Sequence, residues 1–167
     1  MRNFSIVVGV NNLNGIGYKG KLPWKNYADM SFFKTLTTST NDTSKLNAII
    51  MGRNTFESMN EKPLTNRLNY IITNNKYHNV SSYCSLDECL KELENKDEIE
   101  KIYVIGGGRL YKEAIRHVQC ENIFLNKINN TNICDTFFPV IPDDFIVFNK
   151  LKIDDNVTSY LYLKNIL

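Results

Sequence analysis

The chain has one tryptophan, two histidines and four cysteines in 167 residues. Cys84, Cys89, Cys120 and Cys134 form no C-x-x-C pair, and His78 and His117 add no metal-ligand spacing. That excludes an evident zinc site and reads as free thiols in a reducing compartment. No run of eighteen apolar residues occurs, so no transmembrane helix is expected. The apolar stretch near the N-terminus is too short for a signal peptide and reads as a first strand. Neither sign of charge dominates. Lys and Arg number 20 against 18 Asp and Glu, a net charge of +2 with acid and base interspersed, which argues against a nucleic-acid partner. Five N-x-S/T triplets, at Asn3, Asn41, Asn79, Asn129 and Asn156, follow from the abundance of Asn and matter only in a secreted protein.

Hydrophobic residues at 43% and charged residues at 23% lie near soluble averages. The length fits one domain at roughly 150 residues each, and residues 1–167 read as a single α/β unit without linker or repeat. Lysines outnumber arginines fifteen to five, and Asn and Ile are frequent, which resembles coding bias from an AT-rich genome. Each arginine kept under such bias merits attention, although a structural salt bridge is the ordinary explanation.

Short apolar, β-branched runs recur between helical patterns. Strands are expected at 4–10, 48–51, 69–73, 101–105 and 122–128, buried on both faces as in a parallel sheet. Helices are expected at 27–37, 55–59, 86–93 and 109–118, each near a Gly or a Ser/Thr/Asp cap. The runs 145–152 and 159–165 flank the turn Asp154-Asp155-Asn156 and predict an antiparallel hairpin at the sheet edge.

Four places could carry chemistry. Gly15, Gly17 and Gly20 precede Leu22-Pro23-Trp24 in a loop able to move and to approach a flat ligand, or in an ordinary crossover with an anchoring Trp. Asp29 opens the first helix; it is either a favourable partner of the helix N-terminus or a pocket acid whose pKa burial would raise. Met51-Gly52-Arg53-Asn54-Thr55 runs from strand to helix, a junction suited to an anion, with Arg53 as a phosphate clamp. Taken alone that motif is common. Gly106, Gly107 and Gly108 lie between a strand and Arg109-Leu110-Tyr111, as a backbone nest for a pyrophosphate or as packing. The run is not the G-x-G-x-x-G fingerprint, since Tyr111 occupies the final glycine position.

In this order the motifs resemble the dihydrofolate reductase family over essentially the whole chain. Gly-Ile-Gly…Leu-Pro-Trp, Asp29, Met-Gly-Arg-x-Thr, Pro-Leu…Arg67 and Ile-Gly-Gly-Gly-Arg-x-Tyr carry the match, and Asp135-Thr136-Phe-Phe138-Pro139 continues it. The resemblance implies a dihydrofolate reductase-like fold, α/β, with a mostly parallel eight-stranded sheet, an antiparallel C-terminal strand and flanking helices. It implies hydride transfer from NADPH to 7,8-dihydrofolate. Asp29 would hold the pterin 2-amino group and N3 and favour protonation of N5, the proton arriving through water. Leu22 and Trp24 would close the site, and Gly15–Gly20 would form a mobile lid.

The substrate wall implied by the resemblance is Val8, Asp29, Met30, Phe33, Met59, Leu64, Arg67 and Asn126, with Arg67 clamping the α-carboxylate of the substrate tail. The cofactor wall is Gly9, Ile16, Gly20, Gly52, Arg53, Asn54, Thr55, Thr73, Asn74, Ile105, Gly106, Gly107, Gly108, Arg109, Leu110 and Tyr111. Arg53, near Thr73 and Asn74, would favour NADPH over NADH; no metal is expected. This sequence departs from the family pattern at several positions. Asn126 stands where the family has a Thr bonded to the carboxylate. Gly9 replaces an Ala and would leave more room beside the ligands. Phe56 replaces a Trp, and Met59 a β-branched residue.

The segment 36–46 is longer than in typical bacterial members and leans toward the eukaryotic branch, including protists or their viruses. Many protist members are fused to thymidylate synthase, so the chain is expected to be a stand-alone enzyme or an excised domain. It is expected to be cytoplasmic and monomeric, with no membrane or nucleic-acid partner. Two other readings carry different expectations. The related reductase domain of riboflavin biosynthesis would not keep Leu-Pro-Trp with the Asp29 helix. A non-catalytic binding protein on this fold would lose Asp29, Arg53 or Arg67, all of which are present.

Overall fold

In the computed structural model, which describes residues 1–166, the chain alternates strands and helices. The elements are β1 (Phe4–Val10), β2 (Gly15–Gly17), α1 (Tyr27–Thr38), β3 (Leu46–Gly52), α2 (Arg53–Ser58), β4 (Leu68–Ile72) and β5 (Ser81–Tyr83). They continue as α3 (Leu86–Leu93), β6 (Ile99–Val104), α4 (Gly108–Ala114), β7 (Cys120–Ile128), β8 (Thr136–Phe137), β9 (Phe145–Lys152) and β10 (Val157–Lys164).

Eight strands form one sheet in the order β5-β4-β3-β6-β1-β7-β10-β9. The pairs from β5 through β7 are parallel; β10 runs antiparallel to both β7 and β9. This is the mostly parallel sheet with an antiparallel C-terminal strand that the resemblance implies. β1 is buried almost throughout because helices and loops cover both of its faces. Its alternation divides the core: Phe4, Ile6, Val8 and Val10 pack into one cluster with α3 and α4, and Val7 into another with Ile49, Met51, Phe56 and Phe33. Fully burying an apolar side chain of this size contributes about 1.5–3 kcal/mol.

Local signals explain the helix starts. The Asn26 side chain accepts from the Asp29 backbone N–H and caps α1, and Ser85 does the same from Glu88 N–H for α3. In α3, Leu86, Cys89, Leu90 and Leu93 make the apolar stripe that docks on the sheet. Burial pushes the Cys89 and Cys120 thiols up to about 12, and all four cysteines are free. No helix of the described residues is long and apolar enough to cross a membrane.

The structure differs from the sequence reading at several points. Gly15–Gly17 is not free loop: it pairs antiparallel with Thr136–Phe137, so half of the expected lid is tied down. β5 extends the sheet by a strand that the sequence did not announce. α4 ends at Ala114, four residues early, because Arg116 and His117 N–H groups bond Glu113 and Ala114 carbonyls and tighten the chain out of the helix. The predicted hairpin turn is present, with Asp154 Oδ1 accepting from Asn156 and Val157 N–H, both at 2.8 Å.

Candidate active site

A cleft of about 1200 Å³ opens along the carboxyl ends of the parallel strands, where open α/β sheets bind ligands. Gly9 is next to the last residue of β1 there, Gly52 ends β3, Ile72–Asn74 leave β4, Cys84–Ser85 leave β5, and Ile105, Gly107 and Gly108 follow β6. α1 forms one wall, with Tyr27, Asp29, Met30, Ser31, Phe33 and Lys34 facing the cleft. Five cations (Lys21, Lys34, Arg53, Arg67 and Arg109) and two carboxylates (Asp29 and Glu113) line it, although the whole chain is nearly neutral. Such an excess attracts a polyanion. Met30 and Leu22, about half exposed at 50% and 51%, put an apolar rim on the mouth.

Asp29 reaches the cleft from the first turn of α1. Burial holds its carboxyl above the usual carboxylate range. Two donors oppose that shift. Asn126 Nδ2 donates to Asp29 Oδ1 at 3.0 Å, and the Trp24 indole N–H acts more weakly in the same direction. The indole has no partner within full hydrogen-bond geometry. Indeed, Trp24 Nε1 and Asn126 Oδ1 are the two buried side-chain polar atoms without a partner among the described residues, and both belong to the side chains flanking Asp29. Buried polar atoms without partners are costly, and two of them beside one carboxylate leave hydrogen-bonding capacity there for a water or a ligand.

Arg67, 8% exposed, is the second charged group set into the wall. Its Nε donates to Thr65 O at 2.9 Å, its Nη1 to Thr37 Oγ1 at 3.0 Å, and its guanidinium lies over the Phe33 ring at 5.9 Å. No carboxylate of the described residues pairs with it. Burial lowers its pKa, yet a guanidinium stays charged. A buried cation held rigidly without an anion could take a bound anion.

At the other end the β3 and β6 exits are knitted together: Gly52 N–H donates to Gly106 O at 2.8 Å and Ile105 N–H to Ile50 O at 2.9 Å. Gly106 has φ +119°, and a Cβ there would stand 3.1 Å from the Tyr111 ring. A Cβ on Gly107 would stand 3.2 Å from Thr55 Oγ1, and one on Gly108 would overlap the Thr136 methyl. The three glycines therefore let α2, α4 and β8 converge on a bare backbone floor. Tyr111 fixes that floor, its hydroxyl lying 2.7 Å from Val7 O and 2.8 Å from Ile105 O. With Arg53, Asn54, Thr55, Thr73 and Asn74 beside it, this end fits an extended phosphorylated cofactor.

The structure brings most residues expected from the sequence to one cleft. Val8, Gly9, Ile16, Gly20, Leu22, Leu64, Leu110 and Asn126 line it with those already named. Three do not line it. Trp24 stands against Asp29 with its N–H buried. Gly106 supports the floor from beneath Tyr111. Met59 follows the end of α2 and packs, half-buried, against the core cluster of Phe56 and Ile71. The sequence reading missed Tyr27 and Lys34, which helical spacing from Met30 could have found, and Ser31, one turn on from Tyr27. It also missed Cys84 and Ser85, brought in by β5, and the wall residues Val7, Ile72 and Phe124. The room expected beside Gly9 is taken by Asp29: a Cβ there would stand 3.0 Å from Oδ2.

Comparison with known proteins gives a consistent answer. A family model described as dihydrofolate reductase matches residues 3–165. The chain is 39% identical to a dihydrofolate reductase of Aedes albopictus over 99% of this chain and 92% of that protein. It is 36% identical to the Drosophila melanogaster dihydrofolate reductase, over 87% of this chain and 84% of the other. It is also 42% identical to a bifunctional dihydrofolate reductase-thymidylate synthase of Zea mays, over 88% of this chain and 30% of that longer protein.

Proposed function

The chain belongs to the dihydrofolate reductase family, and from that premise we propose that it reduces 7,8-dihydrofolate to 5,6,7,8-tetrahydrofolate with NADPH. The observation that carries this reading is a buried carboxylate and a buried guanidinium, each without an ionic partner, set along one helix. Asp29 lies in the first turn of α1, and Thr37, which holds Arg67, follows eight residues later on the same face. At 1.5 Å per residue the two are about 12 Å apart along the axis. A ligand with a hydrogen-bond-donating heteroaromatic head and a carboxylate tail at that spacing answers both groups. Dihydrofolate is such a ligand.

Asp29 accepts from the pterin N3–H and 2-amino group. Its charge near the ring favours a proton on N5, delivered through water, and a cationic N5–C6 unit is the better hydride acceptor. One proton and one hydride, the latter to be supplied by NADPH, would add across N5=C6 of the substrate. Burial raises the pKa of Asp29 above the usual carboxylate range. Asn126 and Trp24 orient the carboxylate, Phe33 packs beside the tail, and Arg67 binds the tail carboxylate.

The glycine floor and Arg53 fit NADPH, which supplies the hydride when bound. Gly107 and Gly108 let the backbone approach the cofactor closely, and Arg53 favours the form bearing a 2′-phosphate. Leu22 covers the reacting region and limits water there. The direct test follows near-ultraviolet absorbance when purified protein meets dihydrofolate with NADPH and, separately, with NADH. Rapid oxidation preferring NADPH is expected. Binding of both ligands without oxidation, or no binding at all, contradicts the reading.

A further inference from the structure

Gly9 on β1 and Asn126 on β7 are aligned neighbours in the parallel pairing of the two strands. Aligned residues present their side-chain directions on the same face of a sheet. On that face Asn126 Nδ2 reaches Asp29 Oδ1 at 3.0 Å. Gly9 has nothing to present, and the carboxylate occupies what would be its side-chain volume. A Cβ at Gly9 would stand 3.0 Å from Asp29 Oδ2, 3.3 Å from Oδ1 and 3.3 Å from Ile128 Cδ1. Optimal carbon contacts lie near 3.5–4.0 Å, so the carboxylate would have to retreat by a few tenths of an ångström. The backbone does not impose glycine here, since Gly9 is not among the residues of positive φ. The carboxylate does.

We propose that Gly9 and Asn126 are one positioning unit for Asp29: the absent side chain at Gly9 opens the space into which the Asn126 carboxamide draws the carboxylate. Neither half works alone. With a methyl at position 9 the carboxylate moves off, and the 3.0 Å bond from Asn126 lengthens or tilts. Without the Asn126 donor, the open space at Gly9 has nothing to hold the carboxylate in it. The other groups that act on Asp29 are the Trp24 N–H and the Tyr111 phenol on α4. Neither of these is a cation that could replace the lost bond.

The catalytic consequence rests on the role given to Asp29 above; the coupling itself does not, so the two are measured apart. Asp29 is titrated by carboxyl-labelled NMR in the unliganded protein, in Gly9→Ala, Asn126→Leu and the double variant. Loss of a donor to a carboxylate raises its midpoint by about 1 pH unit. Each single change is expected to produce that rise, and Gly9→Ala is expected to add less than about a third as much once Asn126→Leu is present. Ile128→Val removes the Cδ1 contact, so Gly9→Ala in that background relieves the packing strain and keeps the folded protein measurable; the same rise is expected there. Equal effects of Gly9→Ala with and without Asn126→Leu overturn the proposal, as does an unmoved midpoint in Gly9→Ala. The alkaline limb of the single-turnover rate should move upward with the same non-additivity. If Asp29→Asn kept full turnover, the catalytic reading would fall while the NMR coupling stood.

Discussion

Replacing Arg67 by Ala isolates the recognition of the substrate tail. Two of the guanidinium's five N–H groups are used within the protein, on Thr65 O and Thr37 Oγ1, and Nη2 has no acceptor among the described residues. The free edge therefore meets a carboxylate with a fixed geometry and little entropy left to lose. A charge-assisted pair of this kind is worth about 1.5–3 kcal/mol. At 1.4 kcal/mol per factor of ten, Arg67→Ala should weaken dihydrofolate binding roughly 10- to 150-fold. The pair is sheltered, so salt should reduce the effect little. Quenching of Trp24, the only tryptophan, reports the affinity directly. A pterin lacking the tail carboxylate, and NADPH, should bind the variant nearly as well as the wild type. Equal weakening for tailed and tail-less ligands, or for NADPH, would refute the reasoning and make Arg67 a structural residue of the α1 wall.

Arg53 is exposed beside Thr73 and Asn74, so Arg53→Ala should cut the preference for NADPH over NADH roughly tenfold, read from the two KM values; an unchanged ratio removes it from the phosphate site. Tyr111→Phe leaves the Val7 and Ile105 carbonyls without their buried hydroxyl, costing about 1–3 kcal/mol, or roughly 2–10 °C in Tm by circular dichroism. An unchanged Tm would show that the hydroxyl does not support the floor. Asp29 has a folded pKa raised above its unfolded value, so the folded state binds the extra proton and stability falls as pH rises through the window between the two. Above that window the ionised group is a standing cost to the unliganded protein. Asp29→Asn should therefore raise Tm at neutral pH, with the gain vanishing below the ordinary carboxylate range; a gain that did not depend on pH would contradict the cause assigned.

Legibility in the sequence followed the physics of each element. β1 and α3 stand at the limits read from sequence, because one is apolar on both faces and the other carries a cap and a full apolar stripe. β5, Ser-Ser-Tyr at the sheet edge, has no pattern of its own and exists through pairing with β4. The β2–β8 pair is likewise tertiary: glycines and Thr136 become strands by finding each other across 120 residues. In the site, the glycine-bordered motifs read from the sequence converge on one cleft. Arg67 was legible as a candidate anion clamp, but not its anchoring by Thr37, thirty residues away. Met59 lies just past the end of α2, and its packing beside Phe56 was not legible in the sequence. Gly9 was read as spare room, since a sequence cannot show that a carboxylate from another element fills it.

The central claim is that Asp29 sets the protonation of the reacting ring in a site that transfers hydride from NADPH to dihydrofolate. Single-turnover hydride transfer, followed with both ligands saturating in wild type and Asp29→Asn across the pH range, tests it most directly. The variant should be slower by about 10²–10⁴-fold near neutral pH and should recover part of that loss in acid, where the substrate brings its own proton. Wild-type rates in the variant at neutral pH would contradict the account, as would a loss that stayed constant at every pH.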